Sequence, residues 1–217
     1  MPVENMTLAP FYAGNRNPYN YAKFEQIGRD VSTQWLTMDE CTNQLNLFND
    51  ESQDAYIASI ELATRMAIED FLGMAIFATQ WRVYYGNLGV YNTSWYLDLP
   101  EVSPGSAGVT INSVQVYADS NTVPVTLAGG SYSYDPTGNR IILNELPNNI
   151  NQNIVNPIVV TYTQNANTIA TYPVVKQAGL MLLTHIYNNR SNTTDMNLKE
   201  IPFGVAQLLR PYKPLVM

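Results

Sequence analysis

Hydrophobic positions change period twice along the chain. From Gln53 on, Tyr56, Ile57, Ile60, Ala63, Ala67, Ile68 and Phe71 recur at intervals of three and four, which marks one face of a helix. Gly73 follows and can take the left-handed conformation that ends a helix. A shorter helix precedes it. Thr37-Met38-Asp39-Glu40 is a capping box, in which the Thr37 hydroxyl accepts from the Glu40 N–H and the Glu40 carboxylate accepts from the Thr37 N–H. Cys41, Leu45 and Phe48 are its candidates for inward positions. A third helix opens at Pro173, where a missing N–H costs nothing. Val174, Ala178, Leu182 and Ile186 form one stripe, Val175, Leu183 and Tyr187 a second, and Leu180 and Met181 widen the apolar surface. A helix apolar nearly all round is covered on most sides. We read it as the central helix, packed by its own domain and by another subunit. PFGVAQLLR, between Pro202 and Pro211, is a short last helix.

Between Gly73 and Pro173 the period is two. Ile76–Tyr85, Ser94–Leu99, Val109–Tyr117, Thr122–Leu127, Tyr132–Tyr134, Arg140–Leu143 and Pro157–Thr163 read as short strands. Pro124 marks its strand as an edge. Asp135-Pro136-Thr137-Gly138 is a turn with Pro and Gly where a type I turn favours them. The link from Asn144 to Asn156, rich in Asn and Pro, is the loosest part. Residues 1–36 show neither period. They are too aromatic for a free disordered tail and read as an extended arm lying on its own domain or a neighbour.

The pattern predicts an α+β protein: a small α-helical bundle of about four helices with an inserted antiparallel β-sheet or sandwich domain and an extended N-terminal arm. The divisions are 1–36 for the arm, 37–73 with 172–217 for a discontinuous helical domain, and 74–171 for the inserted β domain.

Charge sharpens this picture. Charged residues make up only 13% of the chain, about half the usual share, and Asn, Thr, Gln, Ser and Tyr supply the polar surface instead. That composition suits a surface covered by partners. The net charge of −7 is uneven. Thr37–Leu72 holds Asp39, Glu40, Asp50, Glu51, Asp54, Glu61, Glu69 and Asp70 against Arg65 alone, whereas Pro173–Met217 carries an excess of bases. No basic patch of the kind that grips nucleic acid is present. No apolar run reaches the ~20 residues of a membrane span, and MPVENMTLAP lacks the basic and apolar regions of a secretory signal. Cys41 is the only cysteine, which suits synthesis in a reducing compartment.

Catalytic chemistry finds little to use. His185 is the only histidine and lies on the apolar helix, as a core or interface residue would. Cys41 reads as packed. Sites built from several His and Cys ligands are excluded by count, and adjacent acids such as Glu69-Asp70 face apart on a helix. Trp81, Trp95 and the tyrosines could form a sugar-stacking platform on the sheet, although alternation favours the core face.

Three pieces of the chain together resemble the head–tail connector (adaptor) proteins of tailed bacteriophages. One is WLTMDECTNQLNL followed by DESQDAYIASIELATRMAIEDFLG, with Glu69 and Gly73 at its close. The second is TYPVVKQAGLMLLTHIYNNR, ending in Tyr187 and Arg190, and the third is IPFGVAQLLRPYK. The resemblance covers roughly residues 35–73 and 172–213 and leaves the arm without a counterpart. It implies a non-enzymatic virion protein without cofactor or metal, located at the head–tail junction and assembled in the bacterial cytoplasm. Its homo-oligomer would be a dodecameric ring joining the portal protein to the next neck or tail protein. DNA would pass through the channel without sequence-specific binding, and no membrane would be involved. Carried onto this chain, the resemblance assigns portal docking to Leu209, Arg210, Pro211, Tyr212, Lys213, Leu215, Val216 and Met217. The acidic residues Asp50, Glu51, Asp54 and Glu61 would line the channel, because a basic lining would hold DNA by its phosphates. Val174, Ala178, Met181, Leu182, His185 and Ile186 would serve as core and subunit-interface positions of the central helix. The alternatives are a receptor- or sugar-binding β module on a virion and, with less support, a carboxylate-dependent hydrolase.

Overall fold

The computed structural model describes residues 21–48, 50–86, 96–100, 102, 108–118, 122–144, 149–151, 153–189 and 203–213. The chain forms two compact units. One draws on stretches within Arg29–Thr79 and Asn165–Met217, the other on stretches within Met1–Gly28, Gln80–Val102 and Gly108–Gln164. The fold is mixed α and β.

The helical unit contains α1 (Met38–Leu45), α2 (Asp54–Leu72), α3 (Pro173–Asn188) and α4 (Phe203–Leu209). The capping box at Thr37 and Glu40 is formed. Gly73 ends α2 at φ 68°, donating its N–H to the Glu69 carbonyl. Ile57, Ile60, Ile68 and Leu72 of α2 pack with Val175, Ala178, Leu182 and Leu183 of α3 and with Val205 and Leu209 of α4. Two residues ahead of α1 complete this core: Trp35 and Leu36 are buried in it. They belong to the stretch expected as an arm, but the Trp35 ring is too large an apolar surface to leave in water. Phe48, expected inward, is 74% exposed, because Asn46 adopts φ 57° and ends α1 before the spacing reaches it.

The sheet unit holds a five-stranded sheet in the order β1-β2-β8-β4-β5 and a three-stranded sheet in the order β3-β7-β6. The strands are β1 (Tyr21–Arg29), β2 (Thr79–Tyr85), β3 (Tyr96–Asp98), β4 (Val109–Val116), β5 (Val125–Thr126), β6 (Tyr132–Asp135), β7 (Arg140–Leu143) and β8 (Ile158–Gln164). β8 and β5 flank β4 antiparallel, and β3 and β6 flank β7 antiparallel. Val83, Tyr85, Leu97, Val114, Ile141, Leu143, Val160 and Tyr162 bring both sheets into one apolar core. Tyr85 donates its hydroxyl to the Asp98 carbonyl at 2.6 Å, and burial pushes its phenol well above the ordinary value of 10.0. The β6–β7 hairpin turns where expected. Asp135 Oδ1 accepts from the Thr137 N–H at 2.9 Å, and Asn139 takes φ 49°.

Three expectations change. β1 arises from the stretch assigned as an arm without strand character, because alternation there is broken by the three-residue spacing from Phe24 to Ile27 across Glu25 and Gln26. β2 starts at Thr79 rather than Ile76, since Met74 and Ile76 are buried in the helical core. Of the expected Thr122–Leu127 strand, only Val125–Thr126 pairs, immediately after Pro124. Arm residues 1–20, together with Ser94 and Trp95, lie outside the described residues.

Gly179 marks the tightest approach in the helical core. A Cβ there would lie 2.7 Å from Trp35 Cζ3 and 2.8 Å from Cη2. Alanine normally gains about 1 kcal/mol over glycine inside a helix. Here overpacking against an indole costs about 1–3 kcal/mol and reverses the sign. Gly179→Ala should therefore lower the urea midpoint of the helical unit. A raised midpoint would show that the Trp35 ring has room to move.

Candidate assembly surface

Helix α2 carries Glu61, Arg65 and Glu69 four residues apart, and all three are buried. Glu61 Oε1 accepts the N–H groups of Trp35 at 3.0 Å and Leu36 at 3.1 Å. Arg65 donates Nη1 to the Thr33 carbonyl at 2.7 Å and Nη2 to the Asp30 carbonyl. Glu69 Oε1 accepts the Ile76 N–H at 2.7 Å, while its Oε2 pairs with the Arg29 guanidinium. These side chains hold the non-helical stretch from Arg29 to Leu36 against α2. Glu61 is consequently corrected out of the channel-lining set: at 3% exposure, with its carboxylate turned onto backbone amides, it faces no lumen. Arg29, Arg65 and Glu69 were missed as a functional group of residues. Their signal was the acid–base–acid spacing on α2, which reads equally well as a solvated helix face.

What remains on the surface is organised by α3. Val175, Ala178, Gly179, Leu182 and Leu183 are buried, whereas Val174 is 39% and Met181 38% exposed. Gln177 and Asn188 are exposed on the same side, so an uncharged stripe runs the length of the helix. His185 and Ile186 are half-buried, and Asn189 Nδ2 donates to the His185 carbonyl at 2.7 Å. The structure thus divides the six central-helix positions: Ala178 and Leu182 face the core, Val174 and Met181 face outward, and His185 and Ile186 lie between. Near the end of α3, Tyr187 donates to Gln53 Oε1 at 2.7 Å. That contact brings the outward end of α3 beside the turn carrying Asp50, Glu51 and Asp54, of which Asp50 and Glu51 are exposed and Asp54 half-exposed. Asp50 caps this turn by accepting the Ser52 N–H at 3.0 Å, and the Ser52 hydrogen bonds hold its carboxyl below the ordinary 3.8.

The C-terminal segment is also divided. Leu209 is fully buried in the helical core, so it is corrected out of the docking set: its side chain already has its partners. Tyr212 stacks edge-on against Tyr172 with ring centroids 5.8 Å apart, and the Lys213 ammonium lies 5.2 Å from the Phe71 ring centroid. Arg210 and Pro211 are exposed. Leu215, Val216 and Met217 lie outside the described residues.

Groups that could do chemistry are held in packing roles. The Cys41 thiol is buried and pushed up to about 12, by burial first and then by Glu61 and Glu40. Among the described residues, no three His, Cys, Asp or Glu side chains gather as a metal site. Trp81 lies half-buried with its ring centroid 5.9 Å from that of Phe24.

No family model matches the chain, and no curated protein does. Solved structures do. The chain is similar to a subunit of the neck of an empty gene transfer agent (GTA) particle computed with C6 symmetry, with TM-score 0.58 and 20% identity over 90% of this chain and 97% of that one. It is similar, over the same shares, to a chain of the virion of a native GTA particle, at TM-score 0.55 and 18% identity. It is also similar to a chain of the neck of a native GTA particle computed with C12 symmetry, at 0.52 and 17%. The shared fold extends over nearly the whole chain, sheets included, and is consistent with the resemblance to head–tail connectors.

Two outcomes follow from the geometry. Glu61→Ala strands two buried backbone N–H groups and should cost roughly 2–6 kcal/mol in chemical denaturation. Little change in the unfolding midpoint would mean that solvent reaches those amides. Glu40 joins the capping box to α3 by accepting from Lys176 Nζ at 2.7 Å and from the Thr37 N–H at 2.9 Å. The Lys176 hydrogen bond, then that of Thr37, holds its carboxyl below the ordinary 4.5. A carboxyl lowered in the folded state stabilises above its unfolded value and loses that contribution as pH falls through the folded one. The melting-temperature gap between wild type and Glu40→Gln should therefore be full above pH 4.5 and close below it. A gap that does not change with pH would exclude the carboxylate as its source.

Proposed function

We propose that this chain is a structural protein of a virion neck: an adaptor that assembles as a homo-oligomeric ring, joins the capsid portal to the next neck or tail protein, and extends the DNA channel. The observation that carries this reading is the likeness, over 90% of the chain, to neck subunits of GTA particles computed with C6 and C12 symmetry. The surface supports it. The uncharged stripe of Val174, Gln177 and Met181 on α3 suits a contact between neighbouring subunits. Asp50, Glu51 and Asp54 suit a channel wall, where carboxylates repel phosphates and let DNA slide. The docking segment shortens to Arg210 and Lys213 with the apolar end Leu215-Val216-Met217, its bases meeting acids on the portal and its apolar end filling a pocket.

Negative-stain imaging of the purified protein with portal-bearing heads tests the reading, with rings of dodecameric order at the portal vertex as the expected result. Finding only free copies, with portal present, would overturn it. Deleting Leu215–Met217 leaves the Tyr212–Tyr172 and Lys213–Phe71 contacts in place, so the shortened protein should stay folded. It should no longer co-sediment with heads. Co-sedimentation equal to that of the full chain would remove the tail from the docking role and leave the ring reading standing.

A further inference from the structure

The five-stranded sheet has two edges of opposite character. β5 is two residues long and follows Pro124, two of the devices that keep an edge from pairing. β1 runs nine residues without proline and, among the described strands, has β2 as its one neighbour. Phe24 and Ile27 are exposed along it. An edge of this length offers backbone N–H and C=O groups to another strand.

The order of residues in β1 says which strand fits. A two-fold axis normal to a sheet leaves each residue on its own face, so copies of one strand pair antiparallel about a central residue. Centring on Phe24 sets Lys23 opposite Glu25 of the second copy, twice, with Tyr21 opposite Ile27, Ala22 opposite Gln26, and Phe24 opposite itself. Centring on Lys23 or Glu25 opposes like charges, and centring on Gln26 sets Lys23 against Arg29. Centring on Ile27 would require Arg29, which Glu69 already holds. Lys23 and Glu25 share one face, since Lys23 Nζ lies 3.1 Å from Glu25 Oε2. The charges that would discourage random edge pairing therefore select one register and one partner.

We propose that β1 is a self-recognition edge: two copies of this chain join antiparallel through Tyr21–Ile27, centred on Phe24, with reciprocal Lys23–Glu25 pairs. Subunits around one ring all point the same way, so a two-fold contact operates between free copies or between rings facing each other. The proposal is independent of the neck reading. Ring formation at a portal can fail while this pairing holds, and the reverse.

Charge reversal tests it in the full-length protein by sedimentation equilibrium. Lys23→Glu alone and Glu25→Lys alone each place two like-charge pairs across the axis and should weaken self-association about tenfold. An equimolar mixture of the two variants restores both attractive pairs and should associate as wild type does, as should the double variant. Because Glu25 also accepts from Tyr84 at 2.6 Å, circular dichroism and melting temperature check the fold of each variant. A second readout does not depend on charge. Phe24→Cys places two thiols directly opposite, within disulfide reach, whereas Ala22→Cys does not. The native Cys41 is buried and does not compete. Under mild oxidation Phe24→Cys should cross-link and Ala22→Cys should not. A wild type that stays monomeric at every soluble concentration would overturn the proposal. So would a mixture no stronger than either variant, or Ala22→Cys cross-linking as readily as Phe24→Cys.

Discussion

The helical unit depends on a buried electrostatic arrangement along one side of α2. Glu61, Arg65 and Glu69 are buried, and with the half-buried Arg29 they set two acids beside two bases. An isolated buried charge is very costly, so such groups persist only when paired and hydrogen-bonded. Here Glu61 Oε1, Glu69 Oε1 and the two Nη groups of Arg65 are spent on backbone that forms no helix or sheet of its own: the N–H groups of Trp35, Leu36 and Ile76 and the carbonyls of Asp30 and Thr33. Buried backbone groups must find partners, and for this segment α2 is the partner. Trp35 is seated in consequence, its indole N–H donating to the Ala170 carbonyl at 2.9 Å and its ring closing over Gly179. Glu69 reaches both Arg29 and Ile76, so one carboxylate ties together the chain that arrives from β1 and the chain that leads to β2.

That arrangement also changes what the surface presents. The acidic excess of the Thr37–Leu72 segment looks uniform along the sequence, yet two of its acids, Glu61 and Glu69, are internal and hydrogen-bonded to backbone amides. Five of the six acids left outside gather where helices begin, Asp50, Glu51 and Asp54 at the start of α2 and Asp39 and Glu40 at the start of α1, and Asp70 is exposed in the last turn of α2. Carboxylates in a first helical turn favour the helix dipole, so these positions serve stability as well as repulsion of phosphate. Between them α3 offers a face without charge. A surface of this kind loses little desolvation energy on meeting a copy of itself or a partner, which is the physical case for reading it as an assembly surface rather than a reaction site.

Much of this molecule follows from local pattern. The capping box at Thr37, the left-handed Gly73, the Pro173 start and the Asp135 turn are set by residues within a few positions of one another. Period-two alternation located β2, β3, β4, β6, β7 and β8 within a few residues, because the core-facing side of a strand must be apolar whatever it packs against. The three stretches resembling head–tail connectors lie in the same self-evident helices. What the tertiary structure decided are the long-range choices. Strand β1 shows no clean alternation, since its edge position leaves both faces partly exposed, and only pairing with β2 makes it a strand. Trp35, Leu36 and Leu209 are buried by contacts distant in sequence, so an apparent arm and an apparent docking residue became core. Glu61 and Arg65 read as solvated until the backbone of Asp30–Leu36 comes down upon them. A side chain's partner across a large sequence separation is invisible to periodicity, and here that partner determines which charges face water.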